Sequence, residues 1–364
     1  MIRIATIGTS MITSNFVEVL NENDHAAFVG TLSRDPDRAS SFTSERGGTQ
    51  PFTSLDDLVA SDDVDAVYIA SPNALHHDQA LACIRSGKHV LVEKPFCANR
   101  REAAEVFNAA SAIGVVALEA MRPLHDPAFR ACEDALPELG RIRRATLRFG
   151  KYSSRYDDLL AGKHTNIFDC RMATGSLMDM GVYSVACMVE LFGAPDSIAC
   201  APVFLDEDTQ ELTNGPIDGA GVILARYPDM VATLYHSKIS ADLATSQIEG
   251  EAGTLTIHGI SCPDTACVHM RAEAVRTAAK DAYSSNKTSE RALELPLSDN
   301  TMCYELSDFV QAVEAVEAGT TPEDVRCGQY GTVGHFHKTT LNELAIMDEA
   351  RRQADIIFPA DARP

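Results

Sequence analysis

Four short stretches carry side chains whose type and spacing suit chemistry. The first is Gly8-Thr9-Ser10-Met11-Ile12-Thr13, which follows an apolar run and opens a helical pattern. A glycine there permits a tight turn, and the first N–H groups of the following helix suit a pyrophosphate. Only the first glycine of the usual three is present; Ser10 and Thr13 stand at the other positions, so an ordinary βα loop is the plain alternative. The second stretch is Thr31-Leu32-Ser33-Arg34, with Arg38 a helical turn further on. An NAD site puts an acid at this strand end to bind the ribose 2′-hydroxyl. A serine hydroxyl with two guanidinium groups instead suits a 2′-phosphate. NADP is therefore the expected cofactor, with NAD as the alternative and a solvated Arg34 as the plain reading.

The third stretch, Glu93-Lys94-Pro95, lies at the carboxyl end of a strand, where open α/β sheets bind their ligands. A lysine there can donate to a hydroxyl or carbonyl oxygen, and Pro95 fixes the chain direction, with a cis bond as one route. The plain reading is a lysine snorkelling from a loop. The fourth stretch pairs Asp179 with Tyr183, four apart and so on one helix face. Gly181 between them leaves room for a flat ligand. A tyrosine hydroxyl beside a lysine can exchange a proton during carbonyl–alcohol interconversion, an effect of about 10²–10⁴ in rate. A purely structural Tyr–Asp pair is the competing reading.

These residues need elements to position them. Short Val- and Ile-rich runs at 2–7, 28–32, 66–70, 89–92 and 115–118 read as buried parallel strands. Helical patterns lie between them. Ser54 to Asp57 and Asn99 to Glu102 have the spacing of capping boxes, and Gly87 and Gly114 stand where helices stop. Repeated strand–helix units of this size imply a doubly wound parallel sheet. From about residue 140, β-like runs dominate at 142–149, 197–205, 221–227, 230–237, 245–249 and 254–258. Turn residues separate them, as in an antiparallel sheet. Helices are expected near 175–192 and 328–354, and residues 264–301 read as a variable loop or short helix. The predicted class is α/β: a Rossmann domain over 1–120, then an α+β domain with a mostly antiparallel sheet over 121–364.

Composition narrows the function. The chain has 364 residues, 52 acidic and 31 basic side chains and a net charge of −21. Such an acid excess argues against nucleic-acid binding and against an anionic membrane surface. Met1 leads directly into a strand pattern, and no run of 18 apolar residues is present, so a soluble cytoplasmic protein is expected. The ten cysteines form no C-x-x-C pair and read as reduced thiols; His335 and His337 point to different helix faces, and no metal site is expected.

Together the motifs resemble the Gfo/Idh/MocA oxidoreductase family. The resemblance spans nearly the whole chain and is most specific at Ile69-Ala70-Ser71-Pro72-Asn73-Ala74-Leu75-His76 and at Gly87 through Glu93-Lys94-Pro95. It implies that Gly8, Ser10, Met11 and Ile12 cradle the pyrophosphate, and that Ser33, Arg34 and Arg38 hold the 2′-phosphate. It further implies that Ser71, Pro72, Asn73 and His76 line the nicotinamide side, with Glu93, Lys94 and Glu119 near the cofactor. Lys94 matches the family's active-site lysine, Tyr183 its His/Tyr position and Asp179 the acidic partner. The 152–156 and 166–168 blocks resemble the dihydrodiol dehydrogenase-like branch. Ala173-Thr174-Gly175 and Arg122-Pro123-Leu124-His125 depart from the family pattern, which leaves the substrate open around Arg122, Arg155, Asn166 and Asp169. The implied activity is hydride exchange with a secondary alcohol of a sugar, polyol or cyclic diol. A non-catalytic nucleotide-sensing regulator and an NAD-dependent glycosidase are the alternatives. A homodimer or homotetramer through the second sheet is also implied.

Overall fold

The computed structural model describes residues 1–271 and 288–363. Strands β1 (Ile2–Ile7), β2 (Ala26–Leu32), β3 (Ala66–Ile69), β4 (His89–Glu93) and β5 (Ala117–Ala120) form a parallel sheet in the order β2-β1-β3-β4-β5. Helices α1 (Met11–Asn21), α2 (Pro36–Glu45), α3 (Leu55–Ala60), α4 (His76–Arg85) and α5 (Arg100–Ile113) lie between the strands in the chain. Burial of β3 explains its uninterrupted apolar run. Ser54 Oγ accepts from the Asp57 N–H at 3.1 Å and Asn99 Oδ1 from the Glu102 N–H at 3.0 Å, so both predicted caps form. Gly114 ends α5 at φ +86°. β1 has β2 on one side and β3 on the other, which makes its carboxyl end the switch point where a crevice opens.

After the short helices α6 (Arg122–His125) and α7 (Pro127–Asp134) comes an eight-stranded sheet. It contains β6 (Ile142–Gly150), β7 (Ser197–Phe204), β8 (Asp218–Arg226), β9 (Val231–Ser237), β10 (Ser246–Gly250), β11 (Gly253–His258), β12 (Thr265–Arg271) and β13 (Thr288–Ala292). The order is β13-β12-β11-β10-β6-β9-β8-β7, antiparallel except for β6 beside β9. Ala145, Leu147, Ile223, Leu234 and Ile248 fill its inner face, while Arg144, Leu224 and Tyr235 alternate outward. Helices α8 (Ser154–Leu160), α9 (Val182–Phe192) and the single turn α10 (Gln210–Thr213) interrupt the strands. Then follow α11 (Met302–Glu317), the two-residue strands β14 (Arg326–Cys327) and β15 (Gly331–Thr332), and α12 (Val333–Gln353).

Three elements differ from expectation. β5 begins two residues later than predicted, because Val115 and Val116 lead into the strand; Glu119 therefore stands inside it, buried. The segment 264–301 holds strands β12 and β13, although its middle, 272–287, lies outside the described residues. α11 was not anticipated: Thr301 makes no side-chain cap bond, and Asn300 Oδ1 accepts from the Met302 N–H at 3.2 Å instead. Both α11 and α12 fold back onto the first sheet: α11 packs on α1 and β1, and α12 on α5 and β5. The stretch Cys170–Phe192 is apolar enough to span a membrane by composition, yet 72% of its most apolar window is buried inside the fold. All ten cysteines are free thiols.

Candidate active site

A cleft of about 840 Å³ runs along the carboxyl ends of the first sheet and faces the second domain. One end of it is the β1–α1 turn. Gly8 has φ +114°, and a Cβ there would lie 2.8 Å from the Ala70 carbonyl oxygen, so only glycine fits. Ser10 caps α1, and its hydroxyl lies 3.2 Å from that of buried Thr13, which explains how two hydroxyls replace two glycines. Ser10 and Ile12 line the cleft; Met11 is 80% exposed, so its backbone N–H rather than its side chain faces the turn. This geometry fits a dinucleotide pyrophosphate. At the end of β2, the Asp35 carboxylate is occupied in accepting from the Asp37 and Arg38 N–H groups. The Ser33 hydroxyl accepts from the Asp35 N–H at 3.2 Å, Arg34 is exposed, and the Arg38 guanidinium reaches back to the Thr9 carbonyl at 3.2 Å; none of the three lines the cleft itself.

The Ser71-Pro72-Asn73 loop forms the next part of the wall. His76 spans the Ser71 carbonyl (Nε2, 2.8 Å) and the Pro95 carbonyl (Nδ1, 3.1 Å), tying this loop to the cis Lys94–Pro95 bond. Asn73 donates across to the Ala173 carbonyl at 2.7 Å. Glu93 accepts from the hydroxyl of buried Tyr68 at 2.5 Å, which leaves the carboxylate fixed at the cleft floor. Glu119 does not line the cleft. Its Oε1 accepts from the Phe96 N–H at 2.8 Å and its Oε2 from Thr340 at 2.7 Å, so it braces the Lys94–Phe96 loop from behind. Burial pushes its carboxyl up to about 7, against both hydrogen bonds.

At the chemical end, Lys94 Nζ donates to Oδ1 and to the main-chain oxygen of Asp179, both at 2.9 Å. The same ammonium lies 4.7 Å from the centre of the Tyr183 ring. Asp179 sits in a π-turn, Leu177–Gly181, that feeds α9 and keeps both side chains on the cleft. Its other oxygen, Oδ2, pairs with Lys238, the residue after β9. Burial opposes the Asp179 charge, but the two ammonium groups outweigh it and hold the carboxyl well below the usual range. Burial also raises Tyr183 to about 12; Lys94 opposes this and Glu93 adds to it. At neutral pH the free chain thus keeps the Tyr183 proton. The space in front of Gly181 is filled by Leu177 and His236, so this glycine serves packing against β9 and gives no room for a ligand. Asp218 anchors the turn by accepting from the Leu177 N–H at 2.6 Å.

The opposite wall comes from α8 and the loop after it. Arg155 and Asn166 line the cleft there, together with Asp158, Lys163 and His164, which were not anticipated. Asp158 takes both Lys163 (3.0 Å) and Arg155 (3.4 Å). Asp169 is fully buried and holds His164 at 2.7 Å and Arg171 at 3.0 Å, so it supports the wall without facing the cleft. Arg122 lines a separate cavity between α1 and residues 298–303. Lys238 was missed too, although it follows a strand end as Lys94 does, which was the available signal. Away from the cleft, His125 pairs with Asp308 at 2.8 Å near the Cys327 thiol, a convergence invisible in the sequence.

Comparison with known proteins gives a consistent result. The model of an oxidoreductase family with an NAD-binding Rossmann fold, GFO_IDH_MocA, matches residues 2–120, and the GFO/IDH/MocA C-terminal domain matches 137–256. The NADP(+)-dependent scyllo-inositol 2-dehydrogenase IolU of Bacillus subtilis is 36% identical over 361 residues, covering 99% of each chain. The uncharacterized oxidoreductase YgjR of Escherichia coli is 33% identical over 363 residues, covering 100% of this chain and 99% of its own. The crystal structure of a 3-ketoreductase from Actinomadura kijaniata with NADP and TDP-benzene superposes with a TM-score of 0.76 at 23% identity, over 97% of both chains, a likeness of fold.

Proposed function

The chain belongs to the GFO/IDH/MocA oxidoreductase family, and on that premise we propose that it exchanges hydride between NADP and a secondary alcohol or carbonyl of a sugar, polyol or cyclic diol. The observation that carries this reading is the Lys94–Asp179 pair beside Tyr183, at the far end of a cleft that starts in a pyrophosphate-type turn. The nicotinamide, when bound, supplies hydride exchange at its C4 atom. Ser10 and the first N–H groups of α1 would hold the pyrophosphate, and Ser33, Arg34 and Arg38 the 2′-phosphate. Preference for NADP is supported by the engagement of Asp35 in its own helix cap and by the cofactor named for the similar B. subtilis dehydrogenase.

Lys94 donates to the reacting oxygen and polarises its bond to carbon. Tyr183 gives its phenolic proton to this oxygen as the carbonyl carbon accepts hydride with its electron pair; in oxidation the phenol first releases its proton to solvent, and the phenolate then takes the alcohol's. Asp179 fixes the Lys94 ammonium through two hydrogen bonds. Arg155 and Asn166, which line the same cleft, would contact the remaining hydroxyls. Nucleotide absorbance with a panel of inositols, aldoses and cyclic diols tests the reading. Lys94→Ala and Tyr183→Phe are each expected to lose about 10²–10⁴ in kcat while nucleotide still binds. Full turnover in both variants excludes these roles.

A further inference from the structure

Lys238 lies outside every motif, yet its side chain is buried and ends on the carboxylate that holds Lys94. The two Asp179 oxygens are divided, Oδ1 to Lys94 and Oδ2 to Lys238. One carboxylate between two ammonium groups leaves a positive charge uncompensated within the triad. Uncompensated charge is costly inside a protein unless something nearby uses it. Glu93 attracts the Lys94 ammonium from β4, and the group that would draw on the excess charge as it loses its proton is Tyr183, whose ring lies 4.7 Å from that ammonium. With Lys238 neutral, Asp179 would cancel the Lys94 field at that ring.

We propose that Lys238 is a positioning residue that acts through Asp179: by occupying Oδ2 it keeps the Lys94–Asp179 pair net positive, and this field stabilises negative charge on the Tyr183 or substrate oxygen. The role rests on the hydride-exchange reading above for its use, though its electrostatic part stands without it. Tyr183 also feels the charges of Glu93 from β4 and of Arg122 from α6, which lies behind the cleft wall, while Arg155, Asp158, Lys163 and His164 of α8 and the loop after it line the same cleft; the ion pair of Lys238 is with Asp179. A scaffold role is carried by the backbone instead. The Lys238 N–H donates to the Gly219 carbonyl at 2.8 Å, and its own carbonyl accepts from Ser153, at the start of α8, at 2.9 Å. Both bonds survive any side chain at this position except proline, so substitution isolates the ammonium.

The test reads Tyr183 directly. With 3-fluorotyrosine at position 183, ¹⁹F NMR of the ligand-free chain follows that one phenol through its titration. Lys238→Met is expected to bind the phenol proton about tenfold more tightly, a rise of about one pH unit in the midpoint. Lys238→Arg is expected to return the midpoint to the wild-type value. Asp179→Asn alone raises the triad's net charge by one and is expected to lower the midpoint, and adding Lys238→Met restores the charge and is expected to return the midpoint to wild type; where Lys238→Met alone folds poorly, a double variant that titrates like Asp179→Asn overturns the proposal. An unmoved midpoint in folded Lys238→Met, or a double variant that titrates like Lys238→Met, overturns the proposal and leaves Lys238 a structural ion pair. In turnover, Lys238→Met is expected to lose about 10- to 100-fold in kcat, with the Kd for NADPH within twofold of wild type. Absence of turnover in the wild-type chain would count against the hydride-exchange reading alone, because the NMR titration still decides the role of Lys238.

Discussion

At the proposed nucleotide end, the groups on offer are backbone N–H donors in the turn at residues 8–12 and the exposed guanidinium of Arg38, which lies outside the cleft lining; at the proposed chemical end, charged side chains from the β4 terminus, the π-turn and the β9 terminus pack on one another. The two ends therefore fail in different ways. An exposed cation contributes modestly, acts nearly independently and is screened by salt. A buried ion cluster is strongly coupled, so removing one member strands the others. The difference also explains how a chain of net charge −21 could bind a polyanion. Exposed acids such as Asp56, Asp57 and those at 206–208 lie outside the cleft lining, while the proposed nucleotide end would rely on local dipoles and a few guanidinium groups.

Removing the centre of the buried cluster should have the largest effect. Asp179→Asn leaves two buried ammonium groups facing a neutral amide, and the expected loss of stability is about 2–4 kcal/mol, read by urea denaturation. The sign with pH is definite. Because the folded-state pKa of Asp179 is depressed, its contribution is fully present above about pH 4, the unfolded carboxyl value, and fades as pH falls through the folded value. The wild-type and Asp179→Asn stability curves should therefore run apart near neutrality and converge in acid. Curves that stay parallel down to acid pH would show that the cluster does not hold its charge.

How much of each end can be read from sequence follows from the same contrast. The nucleotide end is local: Gly8, Ser10 and Arg38 fall within 31 residues and carry turn and cap chemistry that a linear reading recognises. Lys94 is legible because a strand end is a local feature. Its partner Asp179 is 85 residues away, and Lys238 lies another 59 beyond that. Only the crossing of β9 beneath the π-turn brings them together. β5 was expected two residues early because Val115 and Val116 have stronger strand character than the residues that form it. The Gly181 reading failed for a related reason: a glycine signals close approach without saying by what, and here the neighbour is His236. β12 alternates buried and half-exposed residues, which makes its sequence look like polar loop.

An intermediate effect should come from the rigid part of the nucleotide end. Gly8→Ala forces a side chain into a left-handed conformation with its Cβ 2.8 Å from a backbone oxygen. The expected cost is about 1–3 kcal/mol, divided between a lower Tm and weaker nucleotide binding by isothermal calorimetry. Unchanged affinity would mean that the turn does not approach the pyrophosphate.

The smallest effect belongs to Arg38, and it is the one that separates phosphate recognition from mere proximity. Its guanidinium is exposed and already bonded to the Thr9 carbonyl, so its removal disturbs little of the fold. Arg38→Ala should weaken NADPH about 5- to 10-fold at low ionic strength while NADH affinity changes by less than twofold, because only NADPH carries the 2′-phosphate. Raising the salt concentration should narrow the gap between wild type and variant, as screening weakens an exposed ion pair and leaves backbone donation in the turn largely intact. Equal losses for both nucleotides would move Arg38 to the pyrophosphate and leave Ser33 and Arg34 to discriminate between them.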